Sequence, residues 1–330
     1  MQVRLIVDNL GSFSRIEPAI DIASEHQKID GVTVISWRSA CDVIPADLVI
    51  EAFAVNLPEQ YIAAMATKLN PPVWINLEYL SAEAWVSEHH LLPSPHSKLS
   101  LTKYFFFPGF KRDTGGIIRE RTLLAERDAV IFSNQTKRLH VFLFAYQNAA
   151  TENLLRAIAE AGVGENLRCT VPEGTLAANL KLGGRIFDDM ANASAIDVIP
   201  FITQQAFDLL LWRHDVLFVR GEDSFVRAQW AAKPFVWQIY PQKDDAHWVK
   251  LNAFLDLYCD GLDDQAALAI REIWRAWNAE DHANIGAAWR QFMVYLPALQ
   301  THAISWSKKL AGMPDLAANL LSFYQKTTKI

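Results

Sequence analysis

The chain has 330 residues, of which 51% are hydrophobic and 21% charged, and its formal net charge is −6. Because a single hydrophobic core usually stops growing below this length, two packed domains are predicted. The acidic balance, without a lysine or arginine block, excludes the charge pattern of nucleic-acid binding, and no apolar run approaches the roughly 18 residues that cross a bilayer.

The first 130 residues alternate short apolar runs with helical patterns. Strands are predicted at Val3–Val7, Val32–Trp37, Leu48–Phe53 and Val73–Leu77. The clearest helix starts at Pro58 and stops before Pro71-Pro72, with apolar residues spaced three and four apart. This alternation predicts a mostly parallel sheet, whereas the Pro-, Ser- and Gly-rich segment Leu92–Gly116 is predicted to form extended loops.

A second alternating series comes after the polar stretch Ser133–Arg138, which is predicted to be a linker. Its predicted strands are Leu139–Phe144, Arg168–Val171, Asp197–Phe201, Val216–Arg220 and Phe235–Ile239. Helical stretches such as Glu152–Ala161 and Gln205–Arg213 separate them, and the chain from about residue 246 onward is helical in pattern. The last helical stretch, Pro314–Lys326, is predicted to pack back on the first domain.

The predicted organisation is two Rossmann-like α/β domains. Residues 1–133 form the first, residues 139–305 the second, and residues 306–330 a C-terminal helix that returns to the first. Two parallel-sheet lobes joined by a short linker are expected to face a cleft at the carboxyl ends of their strands, where such sheets bind ligands. This GT-B-like architecture suits nucleotide-sugar transferases, but it also suits other two-lobed enzymes and binding proteins.

The cysteines and the N-terminus indicate the compartment. Cys41, Cys169 and Cys259 are few, odd in number and far apart, so they predict neither a disulfide framework nor a zinc site. The first apolar residues turn polar at Asp8-Asn9, before any signal-peptide core of about 7–15 residues could form. A cytoplasmic location is therefore expected.

The most informative stretch runs from Leu217 to Trp230, a strand that passes through a glycine turn into a helix. Asp223 or Ser224 is predicted to cap that helix, whose free N–H groups and dipole can bind phosphate oxygens. Arg220, at the end of the strand, can add a bidentate charged contact. The alternative from the same residues is an ordinary N-cap, with Glu222 a solvated turn residue and Arg220 a surface ion-pair former.

Longer motifs extend this segment. Residues 220–229 read Arg-Gly-Glu-Asp-Ser-Phe-Val-Arg-Ala-Gln, and residues 234–242 read Pro-Phe-Val-Trp-Gln-Ile-Tyr-Pro-Gln. Together with upstream stretches at residues 51–54, 74–83 and 103–110, they resemble the bacterial protein-arginine rhamnosyltransferases that modify elongation factor P. The resemblance covers nearly the whole chain. It implies an inverting GT-B enzyme that moves L-rhamnose from dTDP-β-L-rhamnose to an arginine of elongation factor P, without a metal or other cofactor.

The resemblance also implies roles for particular residues. It places the aromatic side chains and amide Phe144, Tyr146, Phe201, Gln204 and Phe207 on the donor. Aromatic faces could stack on the thymine, a phenol could bind phosphate, and an amide could bond the base edge. Without the resemblance, aromatic residues in strands are usual core residues.

The acceptor sets the catalytic requirement. A guanidinium is protonated at neutral pH, so its nitrogens are poor nucleophiles and carboxylates must orient it and accept a proton. The resemblance makes Glu222 one of these carboxylates. Arg220, Asp223 and Ser224, with the helix-end amides, would stabilise the departing dTDP, which makes a divalent metal unnecessary.

The family begins with a strand and an Asp-Asn-Phe-Gly-Asp-Ile-Gly loop, whose aspartate is thought to be the general base. The sequence Asp8-Asn9-Leu10-Gly11 is superficially similar, but together with Ser12–Pro18 it resembles the family's second strand and its sequel, so Asp8 is interpreted as a coincidental match. We therefore expect that the first segment is missing, that a sheet edge is exposed, and that the chain binds the donor but transfers it slowly. A nucleotide-sugar-binding module without catalysis, or a GT-B transferase with another donor or acceptor, is the alternative function.

Overall fold

The computed structural model describes residues 2–133, 138–161, 167–174, 176, 178, 196–200 and 202–328. Most of the predicted linker, Ser133–Arg138, lies outside the described residues. The chain divides into a first unit of residues 1–117 and 315–330 and a second unit of residues 118–314.

Twelve strands and twelve α-helices lie in the described part of the chain. The strands are β1 (Val3–Val7), β2 (His26–Ile29), β3 (Val32–Ser36), β4 (Leu48–Ala52), β5 (Val73–Leu77), β6 (Pro93–Pro95), β7 (Thr102–Phe106), β8 (Leu139–Leu143), β9 (Leu167–Pro172), β10 (Ile196–Ile199), β11 (Val216–Arg220) and β12 (Phe235–Gln238). The helices are α1 (Leu10–Phe13), α2 (Glu59–Ala66), α3 (Trp85–His89), α4 (Leu123–Ser133), α5 (Thr151–Ala161), α6 (Gln204–Arg213), α7 (Glu222–Trp230), α8 (Ala246–Tyr258), α9 (Asp264–Asn278), α10 (Ile285–Val294), α11 (Leu296–Ala311) and α12 (Leu316–Thr328).

The first unit contains two sheets. One has the strand order β1-β3-β2, with β1 parallel and β2 antiparallel to β3. The other has the order β4-β5-β7-β6, in which only β6 is antiparallel. Among the described residues, strand β1 pairs on one side only and leaves Val3 and Leu5 exposed, so it is an open edge of its sheet there.

Strands β6 and β7 show that the prediction of extended loops over Leu92–Gly116 is wrong for part of that segment. Strand β7 pairs in parallel with β5, and its Phe106 is fully buried. The Pro, Ser and Gly residues around β7 indicated loops, whereas the strand itself is short and aromatic. Whether such a short segment forms a strand depends on its burial against neighbouring strands, which local composition does not indicate.

The C-terminal helix α12 packs within the first unit. Its Leu316, Leu320 and Phe323 lie against the core residues Ile75 and Phe106 of β5 and β7. The backbone N–H of Leu316 donates to the carbonyl of Ile117 at 3.0 Å, and Asn319 Nδ2 donates to the carbonyl of Gly115 at 3.0 Å. Apolar contacts and hydrogen bonds thus attach this helix to the unit that the N-terminus begins.

The second unit is built on one parallel sheet with the strand order β10-β9-β8-β11-β12. The residues Val216–Val219 of β11 are completely buried, as expected for a central parallel strand that helices cover on both faces. Large aromatic side chains of α8, α9 and α10 pack beside the sheet, among them Phe254, Trp274 and Trp289. The sheet therefore supplies a rigid support for whatever its carboxyl edge binds.

The first unit ends earlier than the predicted domain boundary at residue 133. Residues 118–133 belong to the second unit, because Trp230 Nε1 donates to the carbonyl of Ile118 at 2.8 Å. Arg127 Nη1 also donates to the carbonyl of Trp230 at 2.7 Å and to Ser307 Oγ at 3.0 Å.

The chain returns to the first unit later than the predicted residue 306. Helix α11 continues to Ala311, and its buried Trp306 donates from Nε1 to Gln229 Oε1 at 2.9 Å. These contacts keep residues 306–314 in the second unit, so the return begins at residue 315.

Candidate active site

The candidate site lies at the carboxyl edge of the second unit's sheet. Strands β8 and β11 are neighbours, but the chain extends the sheet from β8 in one direction and from β11 in the other, so the strand order reverses between them. Parallel α/β sheets bind ligands at such a switch point. Phe144 directly follows β8 and Arg220 ends β11, so both stand at this edge.

A single glycine forms the turn from β11 into α7. Gly221 has φ +70°, a conformation that residues with a Cβ adopt only under strain, so this turn requires glycine. Helix α7 begins at the next residue, Glu222, and the glycine has no side chain with which to cap it. Because the first N–H groups of a helix lack intrahelical partners and carry the positive end of its dipole, the start of α7 can donate to an anion.

The prediction that Asp223 or Ser224 caps α7 is wrong. The helix begins at Glu222, which makes Asp223 its second residue and Ser224 its third. Asp223 Oδ2 instead accepts a hydrogen bond from Gln204 Nε2 at 2.7 Å. The usual preference for Asp and Ser at N-caps suggested a later helix start, but Gly221, with its positive φ, takes the N-cap position and the helix begins directly after it.

The Arg220 guanidinium lies over two aromatic rings. Its Cζ atom is 4.4 Å from the ring centroid of Phe144 and 4.6 Å from that of Tyr146. A cation over an aromatic face is attracted by the ring quadrupole, so the two rings restrain where the guanidinium points. The backbone N–H of Tyr146 donates to Gln238 Oε1 at 2.8 Å, which connects the loop after β8 to β12.

Of the remaining residues that the resemblance places on the donor, Phe207 and Gln204 contact this group. Phe207 is 8% exposed, and its ring meets those of Phe142 and Phe144 edge-on, each at a centroid distance of 5.7 Å. Gln204 is joined through its hydrogen bond to Asp223. Phe201 lies outside the described residues.

The described residues predicted for the site occupy one edge of the sheet. They are Phe144, Tyr146, Gln204, Phe207, Arg220, Glu222, Asp223 and Ser224. Ring contacts link Phe207, Phe144, Arg220 and Tyr146, and a hydrogen bond links Gln204 to Asp223. Glu222 and Ser224 belong to the same group because they lie in the first turn of α7.

Trp237 supports the glycine turn, although the sequence did not indicate a role for this residue. Its Nε1 donates to the carbonyl of Gly221 at 3.0 Å. Its ring stacks on Phe225 of α7 at a centroid distance of 4.0 Å and an interplanar angle of 15°. Asn278 of α9 in turn donates from Nδ2 to the carbonyl of Trp237 at 2.8 Å. No local sequence pattern signals these contacts, because α9 lies far along the chain.

An ionic cluster centred on the buried guanidinium of Arg227 holds α7 in place. Arg227 is 7% exposed and donates to both carboxylate oxygens of Glu120, and its Nη1 donates to Asp208 Oδ2 at 3.1 Å. Asp223 Oδ1 lies 3.8 Å from Arg227 Nε. Three carboxylates from separate parts of the second unit thus surround one guanidinium, which orients the helix that carries Glu222 and Asp223.

Folding shifts the pKa values of Asp208 and Glu120 in opposite directions. Burial raises the pKa of Asp208 to about 6, since the Arg227 charge that opposes the shift is itself offset by Glu120 and Asp223. Burial also disfavours the charged form of Glu120, but its hydrogen bonds from Arg227 outweigh that effect and lower its pKa. The folded protein therefore holds a proton on Asp208 at pH values where the unfolded chain has released it.

Asp208→Asn is expected to change how stability depends on pH. Because the pKa of Asp208 is raised on folding, its contribution is fully present below about pH 4 and is lost as pH rises through about 6. The free energy of unfolding of D208N, relative to that of the parent, should therefore increase as the pH rises from about 4 to 7. Urea unfolding at several pH values measures this difference.

Asp256→Asn is the matched control for this experiment. Asp256 is exposed and pairs with Arg271 at 2.7 Å, so D256N makes the same substitution at a surface ion pair. A constant difference between D208N and the parent from pH 4 to 7 would show that burial does not control the titration of Asp208.

Asn9, rather than Asp8, has a structural role at the sequence Asp8-Asn9-Leu10-Gly11. Asn9 Oδ1 accepts from the backbone N–H of Ser12 at 2.9 Å and caps the four-residue helix α1. Asp8 is exposed. The interpretation of Asp8 as a coincidental match stays a prediction.

The described residues contain neither a membrane-spanning helix nor a metal-binding cluster. None of the helices among them is long and apolar enough to cross a membrane. Nor does that part of the chain bring together three or more His, Cys, Asp or Glu side chains in a way that could hold a metal ion.

Sequence comparisons match the whole length of this chain. The family model described as elongation factor P rhamnosyltransferase EarP matches residues 1–325. A protein-arginine rhamnosyltransferase of Pseudomonas putida is 43% identical over 348 residues, which cover 99% of this chain and 91% of that protein. A second, from Shewanella oneidensis, is 38% identical over 98% of this chain and 89% of its own length.

Solved structures give the same result. A structure that explains EarP-mediated arginine glycosylation of translation elongation factor EF-P matches with a TM-score of 0.56 and 36% identity, over 68% of this chain and 76% of its own. An α-glucosyltransferase crystallised with UDP and DNA matches with a TM-score of 0.50 over 99% of both chains, but at 8% identity it shows the fold alone. The predicted GT-B-like α/β fold class is confirmed.

Proposed function

Because the chain belongs to the family of elongation factor P rhamnosyltransferases, we propose that its donor is dTDP-β-L-rhamnose, bound where β11 meets α7. The enzyme is a protein-arginine rhamnosyltransferase, a glycosyltransferase that modifies an arginine of elongation factor P.

The arrangement around Arg220 carries the proposal. A guanidinium restrained over two aromatic rings directly precedes a helix start whose first N–H groups have no intrahelical partners. This combination of a planar cationic fork and helix-start N–H donors can bind a pyrophosphate. Asp223 and Ser224 lie in the same first turn and complete the donor-binding set.

The aromatic and amide side chains near Arg220 would receive the nucleoside. The Arg220 guanidinium lies over one face of each of the rings of Phe144 and Tyr146. Both residues are half-buried, so the nucleobase would stack on the ring surface that remains exposed. Buried Phe207 supports Phe144 from behind. Gln204 and Phe201 would contact the base edge and face, as the family resemblance implies.

Glu222 would act on the incoming arginine. A guanidinium nitrogen attacks the anomeric carbon of rhamnose, the bond from that carbon to the diphosphate oxygen breaks, and dTDP leaves with the electron pair. The nitrogen must lose one proton as the new bond forms, and a carboxylate at the first position of α7 can accept it and orient the planar group. Attack opposite to the leaving group inverts the configuration at the anomeric carbon.

We further propose that transfer needs no metal ion and takes place in the cytoplasm. Arg220 and the start of α7 offer positive charge to the departing diphosphate, which is the task a divalent cation would otherwise perform. The acceptor serves translation, which proceeds in the cytoplasm. The three cysteines are free thiols, as a reducing compartment would have them.

Thermal unfolding with different nucleotides tests the donor. We expect dTDP to raise the melting temperature of the chain, because a ligand that binds only the folded state stabilises it. UDP and GDP at the same concentration should raise it far less if the base contacts select thymine. Equal stabilisation by all three nucleotides would contradict selection of the base, and no stabilisation by dTDP would contradict the donor site.

A further inference from the structure

Trp237, the third residue of β12, bonds to the glycine turn that leads into α7. We propose that this tryptophan is a positioning residue for rhamnose transfer, because its indole N–H fixes the peptide group between Gly221 and Glu222 and so directs the N–H of Glu222 at the diphosphate of the donor. This role rests on the proposed function, which supplies the identity of the donor. Trp237 thus acts on the donor through the backbone of the turn.

The hydrogen bond from Trp237 determines which way one peptide group faces. Trp237 Nε1 donates to the carbonyl of Gly221 at 3.0 Å. A trans peptide group is planar, so its C=O and its N–H point in opposite directions. The N–H of this group belongs to Glu222, the first residue of α7. It therefore points away from the indole and out of the helix start, where N–H groups lack intrahelical partners.

Glycine makes this peptide group easy to rotate. Gly221 has φ +70° and ψ 174°, a region of backbone conformation that is essentially restricted to glycine. Because it lacks a Cβ, glycine reaches many other conformations at small cost, and in some of these the next N–H would face elsewhere. The carbonyl of an N-cap residue also accepts the first hydrogen bond of its helix, but helix ends fray. A second donor from a buried side chain therefore restricts the turn to one orientation.

The indole that supplies this donor is itself held in place by α7. Trp237 is buried, and its ring stacks on that of Phe225 at a centroid distance of 4.0 Å. Phe225 is also buried, and its ring meets that of Phe254 edge-on at 4.7 Å. One indole thus contacts both the turn and the helix that follows it, so the two keep a fixed relation to each other.

The side chain of Asn278 in α9 holds the backbone of β12 from which Trp237 extends. Its Nδ2 donates to the carbonyl of Trp237 and to that of Trp274, each at 2.8 Å. Its Oδ1 accepts from the backbone N–H of Ile239 at 3.0 Å. A single amide therefore joins the carboxyl end of β12 to α9 and keeps the indole within reach of the glycine turn.

The same hydrogen bond strengthens the N–H that it directs. Hydrogen bonds in series polarise one another, so a donor on the Gly221 carbonyl makes the N–H of the same peptide group a better donor. The diphosphate gains negative charge as it leaves the sugar, and a donor that is oriented in advance stabilises this charge without reorganisation. Loss of the indole N–H should therefore reduce both the affinity for the donor and the rate of transfer.

Calorimetric titration of Trp237→Phe with dTDP tests this role. Phenylalanine can still stack on Phe225 but has no N–H, so the Kd for dTDP should rise about tenfold, as expected for the loss of one hydrogen bond that supports binding. Single-turnover transfer at saturating donor should slow by about the same factor. A variant that merely folded less well would show fewer binding sites at the parental Kd.

Trp274→Phe is the matched control for Trp237→Phe. Trp274 is buried in the same unit, and its Nε1 donates to the carbonyl of Phe235 at 2.8 Å, at the other end of β12. W274F removes the same kind of hydrogen bond and should lower Tm, but it should keep the parental Kd for dTDP. If W237F does not fold, replacement of Trp237 by benzothienylalanine, which has the shape of tryptophan with sulfur in place of N–H, should give the same rise in Kd.

The outcomes separate this role from the proposed function. Failure of the parent to bind dTDP would contradict the proposed donor site, and the role of Trp237 with it. Binding by the parent together with a parental Kd in W237F, or in the benzothienylalanine variant, would overturn the role of Trp237 alone. An equal rise in Kd in W237F and W274F would also overturn it, because it would show a general disturbance of the second unit.

Discussion

Arg220→Ala is expected to weaken binding of dTDP about a hundredfold, because the variant loses two charged hydrogen bonds that together contribute on the order of 2.7 kcal/mol. The loss should be large because the rings of Phe144 and Tyr146 already restrain the guanidinium before the ligand arrives. Little conformational entropy is then lost when it binds. Isothermal titration with dTDP measures the effect directly.

Two further variants, Arg220→Lys and Arg213→Ala, test whether the loss of affinity is specific to the guanidinium at position 220. Lysine keeps the charge but not the planar fork, so R220K should bind dTDP more weakly than the parent and better than R220A. Arg213, the exposed last residue of α6, is a surface arginine of the same unit, and R213A should bind dTDP as the parent does. Parental affinity in R220A would exclude Arg220 from the donor site.

Glu222→Gln is expected to slow rhamnose transfer by at least about a hundredfold while donor binding survives, as removal of a catalytic acid or base usually does. The amide has nearly the shape of the carboxylate and can still accept hydrogen bonds, but it cannot take the proton that the guanidinium releases. Because Glu222 is the first residue of α7, its side chain is not needed for the N–H donors of that turn. Single-turnover transfer, followed by mass spectrometry of elongation factor P, gives the rate.

Glu152→Gln is the matched control for Glu222→Gln. Glu152 is the acidic residue in the first turn of α5, in the same unit, and it pairs with Arg156 on the surface. E152Q should transfer rhamnose at the parental rate. If E222Q also keeps the parental rate, Glu222 is not the carboxylate that acts on the acceptor.

The elements of the second sheet could be predicted because burial leaves a strong local signal in the sequence. Strand β11 has the predicted bounds, Val216–Arg220, since a run of apolar residues buried on both faces has few alternatives to a central parallel strand. The glycine after it could also be recognised as a turn. Whether the helix began at Glu222 or Asp223 depended on the φ of Gly221, which composition does not reveal.

The contacts that hold the site in place could not be predicted in this way. Arg227 was visible within a motif, but its partners Glu120 and Asp208 lie in other parts of the second unit. Trp237 bonds the glycine turn through an indole N–H that any buried tryptophan offers. Periodicity describes one element at a time, whereas these hydrogen bonds join elements far apart in the chain.

The sequence does not distinguish aromatic residues that bind a ligand from those that pack in the core. Phe207 was assigned to the donor, and the structure buries it against Phe142 and Phe144, a position that also suits a core residue. Phe53 and Tyr79 received no individual role, yet they form an exposed stack. The same residue types serve packing and binding, and only their exposure distinguishes the two uses.

We propose that the turn from β11 into α7 binds the pyrophosphate of the donor, and a crystal structure of this chain with dTDP bound would show whether it does. We predict that the diphosphate lies within hydrogen-bonding distance of the Arg220 guanidinium and of backbone N–H groups in the first turn of α7. Density for dTDP elsewhere on the protein, with that turn empty, would show that the donor binds at another site.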